Sequence, residues 1–156
     1  MADWLSREQR SRNMASIRSK GNATTERIFL RLLRKAKIAG WRRHADLPGK
    51  PDFAFHSQKV AIFVDGCFWH GCPRCYRAPK DNRSYWRTKI IANRLRDRKA
   101  ARLLRATGWR VLRIWEHSLA NQKGQNLVLE KVKRTIGEEP EEIANEIVTR
   151  LGIRGS

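Results

Sequence analysis

Residues 59–75 read KVAIFVDGCFWHGCPRC, and the organisation of the whole chain follows from this stretch. Val60 to Val64 is an unbroken apolar run, as expected for a central strand covered on both faces. Before it, Asp52 to Phe55 is a second short strand, joined through His56, Ser57 and Gln58, so the two form an antiparallel hairpin. Trp41 to His44 is a third strand. After it, a polar, arginine-rich loop from Pro73 to Arg83 leads to a long helix over about Ser84 to Ala106, ended by Gly108. Trp109 to Ile114 is then another strand, with Val111, Leu112 and Ile114 as its apolar residues. The strand, helix and strand from Val60 to Ile114 make a βαβ unit, so the two strands are parallel neighbours or near-neighbours, with their C-terminal ends on one edge of the sheet.

Outside this unit, Ser6 with Gln9 three residues on predicts a capping box opening a basic helix through about Ser19. Gly21 and Asn22 are expected to break it. A second helix capped by Thr24 or Thr25 follows, with Ile28, Phe29, Leu32, Leu33 and Ala36 at helical spacing. The tail from Asn126 reads as two short amphipathic helices, the second begun by Pro140. These elements make one α/β domain over residues 1–156: a basic N-terminal helix or arm (1–20), a core (22–120) and C-terminal helices (121–156).

The chain carries 34 Lys and Arg against 15 Asp and Glu, a net charge of +19. Such a field attracts polyanions, and nucleic acid is the commonest one met by a soluble basic protein. Six Trp and 40% hydrophobic residues point to a folded domain rather than a disordered basic tail. No apolar run approaches the roughly eighteen residues needed to cross a bilayer, and MADWLSREQR has no apolar signal region, so a cytoplasmic location is expected.

Three cysteines within nine residues, in a reducing compartment, read as metal ligands rather than a disulfide framework. Cys67, Cys72 and Cys75 end in a Cys-x-x-Cys knuckle and lack one ligand for a tetrahedral structural zinc site. Cys67 lies three residues beyond the first parallel strand and His117 three beyond the second, so topology brings them to one edge and makes His117 the expected fourth ligand. His70 is nearer in sequence and is the competitor. Zinc with four protein ligands cannot itself activate water, but it would hold whatever lies between Cys67 and Cys72 in a fixed position.

The chemistry is expected elsewhere. Asp52 follows Pro51 at a strand start, and Asp65 sits just past the end of the neighbouring strand. Two carboxylates so placed suit Mg²⁺ that must keep positions open for water and a phosphate oxygen. His70, inside the zinc-pinned loop, is of the residue type suited to deprotonating an attacking water. On the long helix Trp86, Lys89, Ile90, Asn93 and Asp97 share a face; Asn93 and Asp97 there need polar partners, which His70 or Asp65 would supply. Glu26 is a further carboxylate, also explicable as a favourable helix-N-terminal charge. Phe68 and Trp69, with Trp86 nearby, are either core or wedges that unstack a base step, and Met14 either packs or enters a groove.

Taken in order, Asn13-Met14, LPGKPDF (47–53), VAIFVDGCFWHGCPRCY (60–76), YWRTKIIANRLRDR (85–98) and GWRVLRIWEH (108–117) resemble the very short patch repair, or Vsr, endonucleases. The resemblance implies a restriction-endonuclease-like fold of the PD-(D/E)xK type, with a mixed central sheet flanked by helices and a structural zinc. It implies Mg²⁺-dependent nicking of double-stranded DNA beside a T·G mismatch. Residue by residue it makes Asp52 the metal-binding carboxylate, with the Val64 carbonyl beside it, and His70 the base. Asp97 becomes a supporting catalytic residue, with Glu26 alongside. Phe68, Trp69 and Trp86 become intercalating aromatics, with Met14, Lys89 and Asn93 also toward DNA. Zinc ligands map to Cys67, Cys72, Cys75 and His117. The best-known member has His at Cys72 and Cys at His117, which preserves the donor count, and has His at Asp65 and Thr at Val64. A monomer with mismatch-repair proteins as further partners is expected. Two other readings stand beside this one: a Vsr-like nuclease of relaxed specificity in restriction or defence, and a zinc-stabilised DNA-binding module without catalysis.

Overall fold

The computed structural model describes residues 6–137. Helix α1 spans Arg7–Lys35 and opens with the expected capping box, in which Gln9 N–H donates to Ser6 Oγ at 3.2 Å and Ser6 N–H to Gln9 Oε1 at 2.9 Å. The expected break at Gly21 and Asn22 does not occur, because α1 runs through both. One glycine inside a helix costs only about 1 kcal/mol relative to alanine, which continuous hydrogen bonding and the apolar face from Ile28 onward offset. Met14 lies on this helix, with its side chain outside the described residues.

Strands β1 (Trp41–Arg43), β2 (Phe53–Phe55), β3 (Val60–Asp65) and β4 (Arg110–Trp115) form one sheet in that order. β1, β2 and β3 are antiparallel, and β3 pairs parallel with β4 in a register that sets Phe63 opposite Arg113 and Asp65 opposite Trp115. Helix α2 (Arg83–Ala106) is the crossover between β3 and β4, as expected. A single 3-10 turn over Glu116–Leu119 and helix α3 (Gln122–Gly137) follow. The helix expected after Pro140 lies outside the described residues.

The period of two along β3 divides the interior. Val60, Ile62 and Val64 face one side, where Phe29 and Leu33 of α1, Phe53 and Phe55 of β2 and Val132 of α3 complete the larger core. Ala61 and Phe63 face the other side and pack with Leu104 of α2. Asp65 continues this second row, so the strand that buries apolar residues against α2 delivers a carboxylate to the same side at its end. Its residue is only 2% exposed, which requires a partner. Among the described residues no helix is long and apolar enough to cross a membrane.

Candidate active site and metal centre

The loop after β3 folds back against α2. Gly71 sits there with φ +60°, and a Cβ at that position would lie 2.5 Å from Ile90 Cγ2, so both its backbone conformation and its close approach call for glycine. Arg94 Nη2 donates to the Gly71 carbonyl at 2.6 Å and Asn93 Nδ2 to the Trp69 carbonyl at 2.7 Å. Asn93 also accepts from Arg96. Its partners are therefore the loop backbone and a helix neighbour, not His70 or Asp65 as expected. Buried at 2% exposure, it holds the loop.

At the far end of this loop Cys67, Cys72, Cys75 and His117 come together, with one ligand atom from each lying within 4.8 Å of all the others. His117 Nδ1 is 3.2 Å from Cys67 Sγ and 3.5 Å from Cys72 Sγ. A tetrahedron with ordinary Zn–S and Zn–N bonds has edges of roughly 3.6 Å, so the donor set fits zinc. The parallel pairing of β3 and β4 supplies His117 as the sequence suggested, and Cys67 N–H donates to Glu116 Oε2 at 3.1 Å, tying the strand ends a second time. Burial pushes the Cys67 thiol up to about 12, with the neighbouring thiols adding to the effect. At Cys72 burial also works against the thiolate, but the N–H groups of Cys75 and Arg74 outweigh it and hold the thiol below its ordinary value. A cation at the centre of the four donors would favour the thiolate at every position.

On the α2 side of the sheet a cleft of about 290 Å³ is lined by Asp52, Val64, Asp65, His70, Asp97 and Arg113, among others. Asp52 Oδ2 accepts from Val64 N–H at 2.7 Å, which anchors the carboxylate across the β2–β3 hairpin. Burial raises Asp52 to about 7; the Val64 hydrogen bond opposes this, and Glu26 and Asp65 add to it by repulsion. Glu26, from α1, and His44 stand beside it, with donor atoms of all three within 4.8 Å of one another. His44 follows β1 with φ 49° and lies 3.7 Å from Glu26, whose main partner is Arg43 at 2.6 Å. Two carboxylates, Asp52 and Glu26, that repel one another in a partly desolvated site fit a hard divalent cation.

His70 donates from Nδ1 to Asp97 Oδ2 at 2.7 Å, with Asp65 Oδ1 farther off at 3.8 Å. Burial works against the Asp97 carboxylate, but the His70 hydrogen bond, with Arg113 behind it, outweighs that and holds Asp97 below the usual range. An ionised Asp97 requires the proton on Nδ1, which leaves Nε2 as the ring's acceptor. Of the two partners expected for Asp97, His70 and Asp65, the structure brings His70 to it. Asp65 departs from expectation: instead of standing open as a second metal carboxylate, both its oxygens are taken by Arg113, at 2.5 and 2.7 Å. Arg113 was not singled out from sequence, although an arginine between Leu112 and Ile114 in an apolar strand is itself a signal.

Phe68, Trp69 and Trp86 form one aromatic cluster, with ring centroids 5.1 Å apart for Phe68 and Trp86, and 5.3 Å for Phe68 and Trp69. Trp86 is buried and supports the two half-buried rings in front of it. Lys89 is half-buried on the same helix, whose solvent side is lined with arginines.

A carboxylate cluster suited to a cation, set opposite an imidazole–carboxylate pair on so basic a chain, has the chemical groups that hydrolysis of a phosphodiester calls for. The protein is an endonuclease acting on the phosphodiester bonds of DNA. The family model described as DNA mismatch endonuclease Vsr matches residues 2–77. A type II nicking enzyme, V.XorIIP, from Xanthomonas oryzae pv. oryzae is 42% identical over 123 residues, 78% of this chain and 89% of the relative. The DNA mismatch endonuclease Vsr of Escherichia coli is 37% identical over 125 residues, 79% of each chain. A type II nicking enzyme from Neisseria meningitidis serogroup C is 38% identical over 140 residues, 86% of this chain and 90% of the relative. The chain belongs to the Vsr family.

Proposed function

We propose that this protein is a Mg²⁺-dependent nickase that cuts one strand beside a T·G mismatch in very short patch repair. The observation that carries the reading is the cleft in which Asp52 lies across from His70 and Asp97. Asp52 would hold the ion, with the Val64 carbonyl beside it, and Glu26 lies close enough to Asp52 to share in orienting its surroundings. When bound, Mg²⁺ supplies charge stabilisation to the phosphate and favours ionisation of water. His70 accepts the proton of the attacking water at Nε2, and Asp97 steadies the ring through Nδ1 as its charge develops. Asp65 contributes through Arg113 rather than through the ion.

The sheet order and the hairpin-then-βαβ topology are consistent with a restriction-endonuclease-like fold. Phe68 and Trp69, backed by Trp86, are placed as a rigid pair to enter a base step, and a mismatch lowers the cost of unstacking there. Zinc holds the backbone that presents them. The nickase acts as a monomer on duplex DNA in the cytoplasm and passes its product to mismatch-repair proteins.

The test compares end-labelled duplexes that differ in one pair, T·G against T·A, with Mg²⁺ present. Nicking of the mismatched duplex is expected to be faster by about 10²-fold. Equal rates would replace this reading with a nuclease of relaxed specificity, and no nicking of either duplex with Mg²⁺ or Mn²⁺ would refute it.

A further inference from the structure

Arg113 has three neighbours on two other elements, Phe63 and Asp65 on β3 and Asp97 on α2. From β4 it lies over the Phe63 ring of β3, with its guanidinium carbon 4.8 Å from the centroid. Its Nε and Nη2 grip Asp65 at 2.5 and 2.7 Å. The same Nη2 lies 3.3 Å from Asp97 Oδ2, the oxygen that accepts from His70. The parallel register decides this arrangement, since Phe63 is opposite Arg113 and Asp65 is two residues farther along the same face.

A planar guanidinium clamped by a bidentate carboxylate on one edge and an aromatic ring on one face has little rotational freedom. Nη2, already held by Asp65, therefore meets Asp97 in a fixed direction. A nearly buried ion pair gives little net stability compared with an apolar pair of similar volume. Asp65 and Arg113 side chains are 3% and 24% exposed, so stability is a weak reason for their presence, and orientation of the next carboxylate is a stronger one.

We infer that Arg113, held by Asp65, is a positioning residue that orients Asp97 and through it selects the His70 tautomer with Nε2 free toward the cleft. Neither residue touches the reacting atoms in this role. The inference rests on the reading of His70 as the base.

The test replaces both members at once, Asp65→Leu with Arg113→Leu, which removes two buried charges together and retains an apolar contact. Two readouts are taken at one fixed pH: single-turnover nicking of duplex DNA at saturating protein with Mg²⁺, and the ¹⁵N resonances of the His70 ring. The expected result is a nicking rate lower by about 10- to 100-fold with DNA affinity little changed, together with appearance of the Nε2–H tautomer. A double variant that nicks at the wild-type rate overturns the inference, and so does a slowed variant whose His70 resonances match the wild type. Should the double variant not fold by circular dichroism, Asp65→Asn decides by the same two readouts, since it keeps the shape and removes the charge that anchors Arg113. If the wild type itself does not nick, the function proposed above fails, while the His70 resonances still report whether Arg113 sets the ring.

Discussion

Asp52→Asn is expected to abolish strand nicking, by about 10³-fold or more, and at the same time to raise the thermal stability of the metal-free protein. The first effect follows from removing the charge that holds the ion, whose transition-state stabilisation is worth several kcal/mol. The second follows from the raised Asp52. Its ordinary value is 3.8 and in the fold it is about 7, mainly because burial disfavours the charge. A carboxyl that is harder to ionise when folded weakens the fold as it ionises. Below about pH 4 it is neutral in both states and the variant gains nothing. Between about pH 4 and 7 the cost grows, and above 7 it is present in full. The melting temperature of the Asn variant should therefore exceed that of the wild type by a few degrees at pH 8, and the gap should close as pH falls toward 4. Asn retains the oxygen that accepts from Val64 N–H, so the hairpin contact survives. Mg²⁺ should raise the melting temperature of the wild type and leave the variant where it is. DNA binding should persist in both. Equal melting temperatures at pH 8 would show that Asp52 is not strained by its burial, and nicking by the variant would remove Asp52 from the chemistry.

Cys72→Ala is expected to cost both activity and stability, for a different reason. Cys72 is 1% exposed and stands at the centre of the four-donor cluster. Loss of a metal ligand belongs among the most destabilising single changes, so a fall of roughly 10 °C in melting temperature is expected. Zinc content measured by atomic absorption should drop from one per chain to a small fraction. Nicking should be lost with the loop, because His70, Phe68 and Trp69 all lie between the first two ligands. The larger core on the α1 side does not include the cluster, so far-ultraviolet circular dichroism should remain close to the wild type. Cys75 is the exposed member of the set, and its alanine variant should be milder. Protein stripped of zinc and resupplied with Mg²⁺ that nicks at the full rate would show that the cluster does not hold the active loop.

Much of this site could be read before any coordinates. The apolar run from Val60 to Val64 and the strand beyond the long helix announced a βαβ unit, and parallel pairing then brought His117 to the cysteines. The spacing along α2 placed Asp97 on the face that meets His70. Other features were not legible. Gly21 and Asn22 looked like a helix break because local propensity counts against them, but a helix can carry one weak turn when its flanks are strong. Asn93 was matched with the wrong partner, since periodicity gives the face of a side chain and not the atom it meets. The neighbours of Asp52 on its other side, Glu26 and His44, come from segments whose approach depends on how α1 and the end of β1 pack.

Asp65 shows most clearly where the division falls. By itself the sequence determined that a carboxylate would stand just past the end of a buried strand, next to the loop that carries the cysteines. That much follows from a period of two and a hydrophobic run, which are local. Only the tertiary structure decided that Arg113, 48 residues away, reaches both of its oxygens. The choice depends on the register of two parallel strands and on fractions of an ångström in the approach of charged groups. Both are settled between strands that are far apart in sequence, and no pattern along the chain encodes them directly.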